Sequence, residues 1–420
     1  MKYQRVRGMQ DLLPEDQPYW AHVEKACHDL AGRYGFERLE APVLESTDLF
    51  VRGVGDATDI VSKEMYSFVD KGEDALTLRP EFTAGVMRAY IENGMGSRPQ
   101  PQKLYSFGPI FRRERPAKGR YRQFYQFNAE VIGTPDALAD LEIMQIAHGL
   151  YSRLGFTNLV FQLNSTGDPE CKPRFIQALR DYFTPLMDRL APLDRERLAK
   201  NPLRVLDTKE RETLPLLADA PRFVDYLNAA CAEHFAELRA YLDDAGIRYE
   251  INHRLVRGLD YYTKTVFELW GEGLGAQGAL CGGGRYDGLI EALGGAPTPG
   301  VGFATGIERI IMSMRELGVQ PAPLPRPDVF IAHLGPAAKR VAVQLAAQLR
   351  AEGTGVRVAF GARSLKAQMK DADRAGCALA LLIGDDEVRD GTVTARDLAH
   401  SEQATLARAD AAGWIRAHLP

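Results

Sequence analysis

Four prolines within seven residues constrain this chain more than any other feature of its sequence. They are Pro321, Pro323, Pro325 and Pro327. Proline fixes φ and lacks a backbone donor, so this segment cannot continue a helix or a central strand. The segment 321–327 is therefore predicted to be a stiff, extended linker. It divides the 420 residues into a larger unit, 1–320, and a smaller unit, 328–420.

The smaller unit alternates short apolar runs with amphipathic segments. The apolar runs predict strands at Asp328–Leu334, Val356–Phe360 and Cys377–Ile383. The amphipathic segments predict helices at Ala337–Glu352, Ser364–Ala375 and Glu402–Leu419. This alternation is typical of α/β structure, so we expect a small α/β domain around a mixed or parallel sheet.

The larger unit has a different pattern, in which long strands of antiparallel character are interrupted by helices. The predicted strands are Gln102–Gly108, Gln123–Val131, Leu159–Asn164, Tyr249–Arg254 and Lys264–Trp270. The predicted helices are Gln17–Tyr34, Glu81–Glu92 and Asp136–Leu154. Residues 169–246 have almost entirely helical periodicity, with strand-like segments on both sides. We therefore expect an α+β domain with an antiparallel sheet and a helical insertion at about 169–246.

Composition excludes several classes of protein. No apolar run reaches the roughly 20 residues of a membrane helix, and the N-terminus lacks the apolar core of a signal peptide, so we expect a cytoplasmic protein without membrane attachment. The five cysteines form no CxxC pair and no HExxH is present, so no zinc site is expected. The net charge of −4 lacks the overall excess of positive charge that is typical of nucleic-acid-binding proteins. Residues 326–420 nevertheless carry 13 Lys and Arg against 11 Asp and Glu, a difference of +2.

The sequence contains one of two glycine motifs that are common in phosphate-binding proteins. The Walker pattern GxxxxGK[ST] is absent, and GxGxxG occurs once, at Gly273, Gly275 and Gly278. More glycines follow it instead of a helix, so it is interpreted as a glycine-rich turn between strands rather than a dinucleotide site.

An arginine-rich loop carries the strongest chemical signal. Its cations lie between two predicted strands, at Arg112, Arg113, Arg115, Lys118, Arg120 and Arg122. Phe124 follows them, and Gln126 and Glu130 should share one face of the second strand because side chains alternate along a strand. Guanidinium groups bind polyphosphate through paired, charge-assisted hydrogen bonds, and a ring beside them can stack on a base. We interpret the loop as a nucleotide site; the alternative is a solvated basic hairpin tip.

Two further segments contain residues suited to the same chemistry. The segment 255–262 brings Arg257, Asp260, Tyr261 and Tyr262 together after a strand. The segment 300–309 has several glycines before an apolar helix with Arg309 near its start, which favours close approach of a phosphate. The alternatives are a charged strand end and an ordinary strand-to-helix turn. Asp260 is expected to orient Arg257, although the two could form a purely structural ion pair.

Together these segments resemble the class II aminoacyl-tRNA synthetases, and specifically the histidyl-tRNA synthetase family, over essentially the whole chain. Residues 7–14 are similar to the family's N-terminal signature, 40–45 to motif 1, the arginine loop to motif 2 and 302–309 to motif 3. Residues 257–262 and 282–288 resemble its two histidine-specific segments. Residues 77–81 resemble the family's pocket for the amino group of the amino acid. The next residue is Phe82, at a position where many members of the family have glycine.

The resemblance implies a homodimer that uses motif 1 at its interface, and a C-terminal domain that reads the anticodon of tRNA(His). It also implies ATP, bound with Mg²⁺, and L-histidine as substrates. By analogy, Arg112 and Arg309 hold phosphates, Glu114 contributes to the ATP site, and Arg120 and Phe124 hold the adenine. Arg257 and Arg112 are the expected catalytic residues. The histidine pocket is expected to consist of Glu81, Thr83, Gln126, Glu130, Arg257, Tyr261 and Tyr262.

Two related identities compete with this interpretation. One is the regulatory subunit of ATP phosphoribosyltransferase, which shares the catalytic fold and binds histidine without catalysis. It typically lacks the C-terminal domain and the Arg-Gly-Leu-Asp-Tyr-Tyr segment, and both are present here. The other is a synthetase for another amino acid, such as the prolyl or threonyl enzyme, against which residues 257–262 argue.

Overall fold

The structure is a computed structural model that describes residues 3–55, 58–271, 279–400 and 402–419. The chain forms two compact units, Met1–Ala322 and Pro323–Pro420, and the division falls inside the proline-rich segment. The expected fold class, an α+β domain with a helical insertion followed by an α/β domain, is confirmed. No helix among the described residues is both long and apolar enough to cross a membrane.

The larger unit is built on an eight-stranded sheet, of order β1-β5-β6-β11-β10-β9-β7-β8, and a three-stranded sheet, of order β2-β4-β3. In the larger sheet the two edge pairs, β1–β5 and β7–β8, are parallel and the inner pairs are antiparallel. The strands are β1 (Glu37–Arg38), β2 (Leu44–Ser46), β3 (Tyr66–Val69), β4 (Ala75–Leu78), β5 (Gln102–Phe111), β6 (Gln123–Ile132), β7 (Leu159–Ser165), β8 (Tyr249–Ile251), β9 (Thr263–Gly271), β10 (Ala279–Arg285) and β11 (Gly300–Gly306).

The larger unit has ten α-helices among its described residues, which lie on both faces of the larger sheet and in the insertion. They are α1 (Gln17–Arg33), α2 (Thr47–Val54), α3 (Thr83–Glu92), α4 (Ala137–Arg153), α5 (Cys171–Phe183), α6 (Pro192–Lys200), α7 (Leu203–Leu206), α8 (Ala229–Asp244), α9 (Leu289–Ala292) and α10 (Ile307–Glu316). Shorter turns of other helix types occur at Ile60–Glu64, Met95–Ser97, Thr184–Arg189, Leu214–Leu217 and Phe223–Tyr226.

The main core explains which face of the sheet remains available for a site. Helix α1 buries Trp20, Val23, Cys27 and Leu30 at helical spacing. These side chains share one core with apolar residues of α4, α10 and the sheet. On β6 the inward residues are 127, 129 and 131, so residues 126, 128 and 130 lie on the opposite face. The helical insertion has a separate core around Phe175, as expected for a unit inserted between β7 and β8.

One strand of this unit is shorter than predicted. The expected strand Tyr249–Arg254 ends at Ile251. The Asn252 side chain accepts a hydrogen bond from the backbone N–H of Arg254 at 3.0 Å, and the Leu255 N–H donates to the Asn252 carbonyl. This asparagine turn replaces the strand hydrogen bonds. The turn predicted at Gly273, Gly275 and Gly278 lies outside the described residues.

The smaller unit has a five-stranded sheet of order β13-β12-β14-β15-β16, in which the first three strands are parallel and the last two antiparallel. Its strands are β12 (Val329–His333), β13 (Val356–Val358), β14 (Leu379–Ile383), β15 (Thr392–Asp397) and β16 (Gln403–Ala407). Its helices are α11 (Gly335–Ala351), α12 (Leu365–Ala375), α13 (Asp385–Asp390) and α14 (Ala411–His418), with a 3₁₀ turn at Arg408–Asp410.

The predicted helix Glu402–Leu419 is wrong in its first half. Residues 403–407 form strand β16, paired with β15, and only Ala411–His418 is α-helical. The sequence predictions also missed β15 and α13. The alanine-rich composition favours a helix locally, but pairing with β15 provides backbone partners and half-buries Ala404 and Leu406 on one face. Tertiary pairing therefore overrides a weak local propensity.

Candidate active site

A cavity of about 410 Å³ lies on the larger unit, on the face of β6 opposite the main core. It collects side chains from the start of α3, the arginine loop, the segment after β8, and strands β6, β9, β10 and β11. The predicted site residues that line it are Glu81, Thr83, Arg112, Glu114, Arg120, Phe124, Gln126, Arg257, Tyr261, Tyr262 and Arg309. Residues more than 220 positions apart in sequence are thus brought to one surface.

Glu130 is the predicted site residue that lies outside the described cavity lining. It is 1% exposed, and its carboxylate accepts hydrogen bonds from Thr83 Oγ1 at 2.7 Å, from Asn128 Nδ2 at 2.9 Å and from the Tyr286 hydroxyl. These three donors themselves line the cavity. Burial raises the pKa of Glu130 to about 8. Glu130 therefore acts on the cavity through the side chains that it holds.

Gly302 explains how Glu130 fits beneath this surface. The two residues are opposite each other on β11 and β6. A Cβ atom added at Gly302 would lie 1.7 Å from Glu130 Oε2, closer than any contact allows. The glycine of the predicted phosphate-binding segment thus makes room for a buried carboxyl group on the neighbouring strand.

The start of α3 forms one polar wall of the cavity. The Glu81 carboxylate accepts hydrogen bonds from the backbone N–H groups of Thr83, at 2.6 Å, and Ala84, at 2.8 Å. This satisfies donors that a helix N-terminus leaves free and places negative charge where the helix dipole favours it. Burial raises the pKa of Glu81. Phe82, the departure from the family pattern, also lines the cavity, with the Arg79 guanidinium 4.4 Å from its ring centroid.

Two buried amides in the cavity have unused acceptors. Gln126 Oε1 and Asn128 Oδ1 have no hydrogen-bond partner among the described residues. Buried polar atoms are nearly always bonded in folded proteins, so such atoms in a cavity are natural contacts for a ligand. The sequence predictions missed Asn128, although its alternation with Gln126 and Glu130 along β6 was a signal for it.

The arginine loop forms the part of the cavity suited to anions. Arg112 Nε donates to the Pro80 carbonyl at 2.9 Å, and its guanidinium carbon lies 5.7 Å from the Phe124 ring centroid. Arg120 approaches the Glu114 carboxylate at 3.4 Å and is otherwise largely exposed. Glu64, which the sequence predictions missed, also lines the cavity. Burial and the nearby charge of Glu114 raise the pKa of Glu64.

Helix α10 begins at the cavity with an acidic and a basic residue in succession. Both carboxylate oxygens of Glu308 accept from the Tyr125 N–H, at 3.0 and 3.1 Å, so this side chain ties α10 to the start of β6. Burial raises the pKa of Glu308 to about 7. Arg309 follows and has no carboxylate partner among the described residues, which leaves its guanidinium available to a ligand.

Arg257 is held by a residue that the sequence did not predict. Its guanidinium pairs with Glu268 on β9. The expected orienting role of Asp260 stays a prediction. Glu268 also accepts from Trp270 Nε1 at 3.2 Å, so the carboxylate is itself fixed. Gly282, opposite Glu268 on β10, provides the space: an added Cβ would lie 2.6 Å from Arg257 Nη1. The buried Arg257 Nε has no partner among the described residues.

Tyr261 and Tyr262 line the cavity as uncharged hydrogen-bond donors. Tyr261 stacks at a tilt against Tyr262, at 4.8 Å between ring centroids, and edge-on against Tyr286, at 5.7 Å. Burial raises the pKa of Tyr261 and of Tyr262, so both retain their hydroxyl protons at neutral pH. They can therefore donate hydrogen bonds to an uncharged ring nitrogen or to an oxygen of a ligand.

Arg285, within the second histidine-specific segment, has a structural role. Its side chain is fully buried and pairs with Asp140 on α4 and with Asp287, and it also donates to the carbonyls of Thr134 and Asp136. The Arg285 guanidinium and its hydrogen bonds hold the pKa of Asp140 at about 2 despite burial. The arginine joins helix and sheet behind the cavity.

Two cysteines that lie 60 positions apart in sequence meet at the base of the insertion. The Cys171 and Cys231 sulfur atoms and an Asp168 carboxylate oxygen lie within 4.8 Å of one another. Asp168 already accepts from the N–H groups of Glu170 and Cys171 and from the Asn228 amide. Burial raises the pKa of Cys231 to about 12. Asp168 thus links the starts of α5 and α8 through these hydrogen bonds.

The chain matches two protein-family models. Residues 8–310 match the family described as histidyl-tRNA synthetase, and residues 328–418 match the family described as anticodon binding domain. It is 47% identical to a histidine–tRNA ligase of Dehalococcoides mccartyi over 404 residues, which cover 96% of this chain and 97% of the relative. It is 46% identical to a histidine–tRNA ligase of Thermosynechococcus vestitus, over 96% of this chain and 94% of that protein.

Solved structures agree with the family matches. The histidyl-tRNA synthetase of S. aureus, in its apo form, superposes with a TM-score of 0.83 at 36% identity, covering 99% of this chain and 100% of that one. A protein of Bacillus halodurans described as an ATP phosphoribosyltransferase regulatory subunit/histidyl-tRNA synthetase is 21% identical, with a TM-score of 0.60 over 88% of this chain and 97% of its own. The second likeness shows a shared fold only.

Proposed function

We infer, since the chain belongs to the histidyl-tRNA synthetase family, that it is an ATP-dependent histidine–tRNA ligase. The observation that carries this inference is the composition of one cavity. It combines arginines suited to phosphates with a buried pocket of carboxylates, amides and tyrosines suited to a small polar amino acid. A binding protein for histidine alone would have no use for the arginine side of this cavity.

ATP is proposed to bind along the arginine loop. Arg112 and Arg309 hold the phosphates, because guanidinium forks make paired hydrogen bonds to phosphate oxygens. Phe124 and Arg120 hold the adenine, and the Arg112 guanidinium near the Phe124 ring leaves the other ring face for stacking. Glu114 orients Arg120 through their ion pair.

ATP is expected to enter as its magnesium complex, which is the usual form of this substrate. Glu64 and Glu114 are the carboxylates that the arginine side offers to such an ion. Burial and the nearby charge of Glu114 both raise the pKa of Glu64, and a cation beside the two carboxylates would relieve their repulsion. Magnesium prefers hard oxygen ligands and retains water, so one or two carboxylates are sufficient.

Histidine is proposed to bind at the buried polar end. Its ammonium group meets Glu81, Thr83 and Gln126, whose free oxygen can accept a hydrogen bond. Its imidazole meets the hydroxyls of Tyr261 and Tyr262. Glu130, whose raised pKa favours the protonated form at neutral pH, contributes the positions of Thr83, Asn128 and Tyr286 rather than a wide surface of its own. A site built to form hydrogen bonds with its ligand rejects amino acids that leave its buried polar groups without partners.

The first chemical step is then an in-line displacement at phosphorus. A carboxylate oxygen of histidine attacks the α-phosphate, a new P–O bond forms, and pyrophosphate leaves with the electrons of the broken bond. Arg257 is proposed to stabilise the charge that develops on the non-bridging oxygens. In the second step, a ribose hydroxyl of the terminal adenosine of the tRNA attacks the activated carbonyl, and AMP leaves.

The remaining parts of the chain are assigned by the same reasoning. The smaller unit, 328–420, is proposed to bind the anticodon of tRNA(His), supported by the family match over residues 328–418. A homodimer is proposed through motif 1, because Val43, Leu44, Phe68 and Val69 are exposed apolar residues in and beside the three-stranded sheet. We place the protein in the cytoplasm, where the tRNA substrate is charged.

Amino-acid-dependent exchange between ATP and pyrophosphate, measured with each of the twenty amino acids, tests the proposal. Histidine alone should support rapid exchange. Exchange with proline or threonine would instead indicate another class II synthetase. Histidine binding without any exchange would indicate a non-catalytic regulatory subunit.

A further inference from the structure

Phe360 is the most exposed of the large hydrophobic residues recorded in the described part of the chain, at 85%. It lies two residues after the end of β13 and four residues before the cap of α12. None of the ring contacts recorded among the described residues involves it. Burial of such a ring is favourable by about 1.5–3 kcal/mol. A ring left in water at this position serves no purpose in the fold of the domain.

The backbone on both sides of Phe360 is held by buried polar side chains. His333 Nε2 donates to the Ala359 carbonyl at 3.0 Å, and the Ala359 N–H donates to β12. Gln368 Nε2 donates to the Arg363 carbonyl at 2.8 Å and to the His333 carbonyl at 2.8 Å. His333 and Gln368 are both buried. The loop 360–363 is therefore short and fixed at both ends, so the backbone that carries the exposed ring is preorganised and loses little entropy on binding a ligand.

The positive charge of the smaller unit is concentrated around this loop. Residues 357–374 contain five cationic side chains and two Asp, a net charge of +3: Arg357, Arg363, Lys366, Lys370 and Arg374 against Asp371 and Asp373. The rest of 326–420 then holds 8 Lys and Arg against 9 Asp and Glu, a net charge of −1. A polyanion is the partner that this distribution complements.

The topology places the loop at an edge where ligands commonly bind. Strands β12, β13 and β14 are parallel, so their carboxyl ends lie at one edge of the sheet. The core on one face includes α11, which follows β12, and the core on the other face includes α12, which follows β13. Loops that leave neighbouring parallel strands for opposite faces open a crevice at that edge.

We propose that Phe360 is a stacking platform for one unstacked base of the anticodon loop, and that the cations of residues 357–374 hold the phosphates beside that base. The proposal rests on the function proposed above and assigns the tRNA contact to particular residues. Aromatic rings are the usual platforms for single-stranded bases in RNA, and a flanking positive groove follows the backbone. The exposed ring, the fixed backbone that carries it and the nearby positive charges then form one binding surface.

The test is aminoacylation of a tRNA(His) transcript by the full chain with Phe360→Ala, Phe360→Trp or Val343→Ala. Val343 is the matched control because it is an exposed apolar residue on α11. Phe360→Ala should lower kcat/KM for tRNA by roughly 10- to 100-fold, the effect of losing one base stack. Phe360→Trp should retain most of the activity, and Val343→Ala should match the wild type. Pyrophosphate exchange, measured on the same preparations, reports on the larger unit alone.

Transcripts with an abasic site at each anticodon position locate the contact. At one of the three positions, the abasic change and Phe360→Ala should be strongly non-additive, because each removes the same stack. Additive effects at all three positions, or normal charging by Phe360→Ala, would overturn the assignment. If the wild type shows no histidine-dependent exchange between ATP and pyrophosphate, the proposed function is overturned. That result is separate from the test of the stacking surface.

Discussion

Arg257 provides the sharpest test of how this cavity works. Replacing it with alanine removes the guanidinium proposed to face the α-phosphate. One donor that acts mainly in the transition state is worth about 2.7–4 kcal/mol. We therefore expect the adenylation kcat of Arg257→Ala to fall by roughly 10²–10³, with the binding of ATP and histidine changed only a few-fold.

The structure also sets the cost of this change to the fold. The Arg257 and Glu268 side chains are 24% and 20% exposed, so solvent weakens their ion pair. Glu268 keeps its hydrogen bond from Trp270 after the arginine is removed. The expected loss of stability is thus about 1.5 kcal/mol, the low end of the range for a hydrogen bond to a charged group. A purely structural arginine would instead weaken both substrates and lower the melting temperature together.

Two further variants separate the charge of Arg257 from its position. Glu268→Gln should leave the arginine in place with weaker orientation, and lower kcat by a smaller factor than Arg257→Ala. Gly282→Ala retains both charged residues but would force the guanidinium aside, because the new Cβ would lie 2.6 Å from Nη1. It should lower kcat without loss of folding, since the displaced group is the flexible end of a side chain.

Single-turnover formation of adenylate in a rapid-quench instrument measures these effects directly. Circular dichroism and thermal melts of the same samples control for folding. Arg257→Lys should recover only part of the rate, because an ammonium group lacks the planar pair of donors. Unchanged single-turnover adenylation in a well-folded Arg257→Ala variant would refute the reasoning and remove this residue from the mechanism.

Four other expectations follow from the structure. Glu130→Ala should raise the KM for histidine far more than the KM for ATP, since it releases three side chains of the histidine pocket; steady-state exchange kinetics with an equal KM for histidine in both proteins would contradict this. A chain that ends near Pro321 should still form adenylate if it remains folded and dimeric, but should charge tRNA poorly, and near-normal charging would show that the smaller unit matters little. Light scattering should give the molar mass of a dimer, about twice the 46.5 kDa of one chain. Phe68→Asp should shift the measured mass towards that of the monomer. A fully active monomer would exclude the proposed interface. Burial raises the pKa of Glu308 in the folded state to about 7, so the folded state binds more protons than the unfolded state between about pH 4.5 and 7, and the wild type loses stability as the pH rises through this window. The melting temperature of Glu308→Gln minus that of the wild type should therefore increase between pH 5 and pH 8. A difference that does not change with pH would argue against a buried proton on Glu308.

Local patterns in the sequence were sufficient for much of the fold. Helix α1 follows from apolar residues at helical spacing, and β6 from strict alternation, because each period reports the face that the element buries. The alternation on β6 also predicts that Gln126 and Glu130 share a face, and the structure adds Asn128 between them. The same reasoning failed at residues 403–407, where the strand is stabilised by pairing with β15 rather than by any local preference.

The sequence by itself determined which residue types this protein could use: arginines and an aromatic ring in one loop, glycines before α10, and the division at the prolines. Tertiary structure alone decided which partners those residues meet. Arg257 meets Glu268 across the sheet, a partner that no spacing along the chain indicated. Glu130 was expected at the cavity surface, yet three other side chains cover it. The physical reason is the same in both cases: spacing along a chain sets the face on which a side chain lies, whereas strand register and packing set its neighbour and its depth.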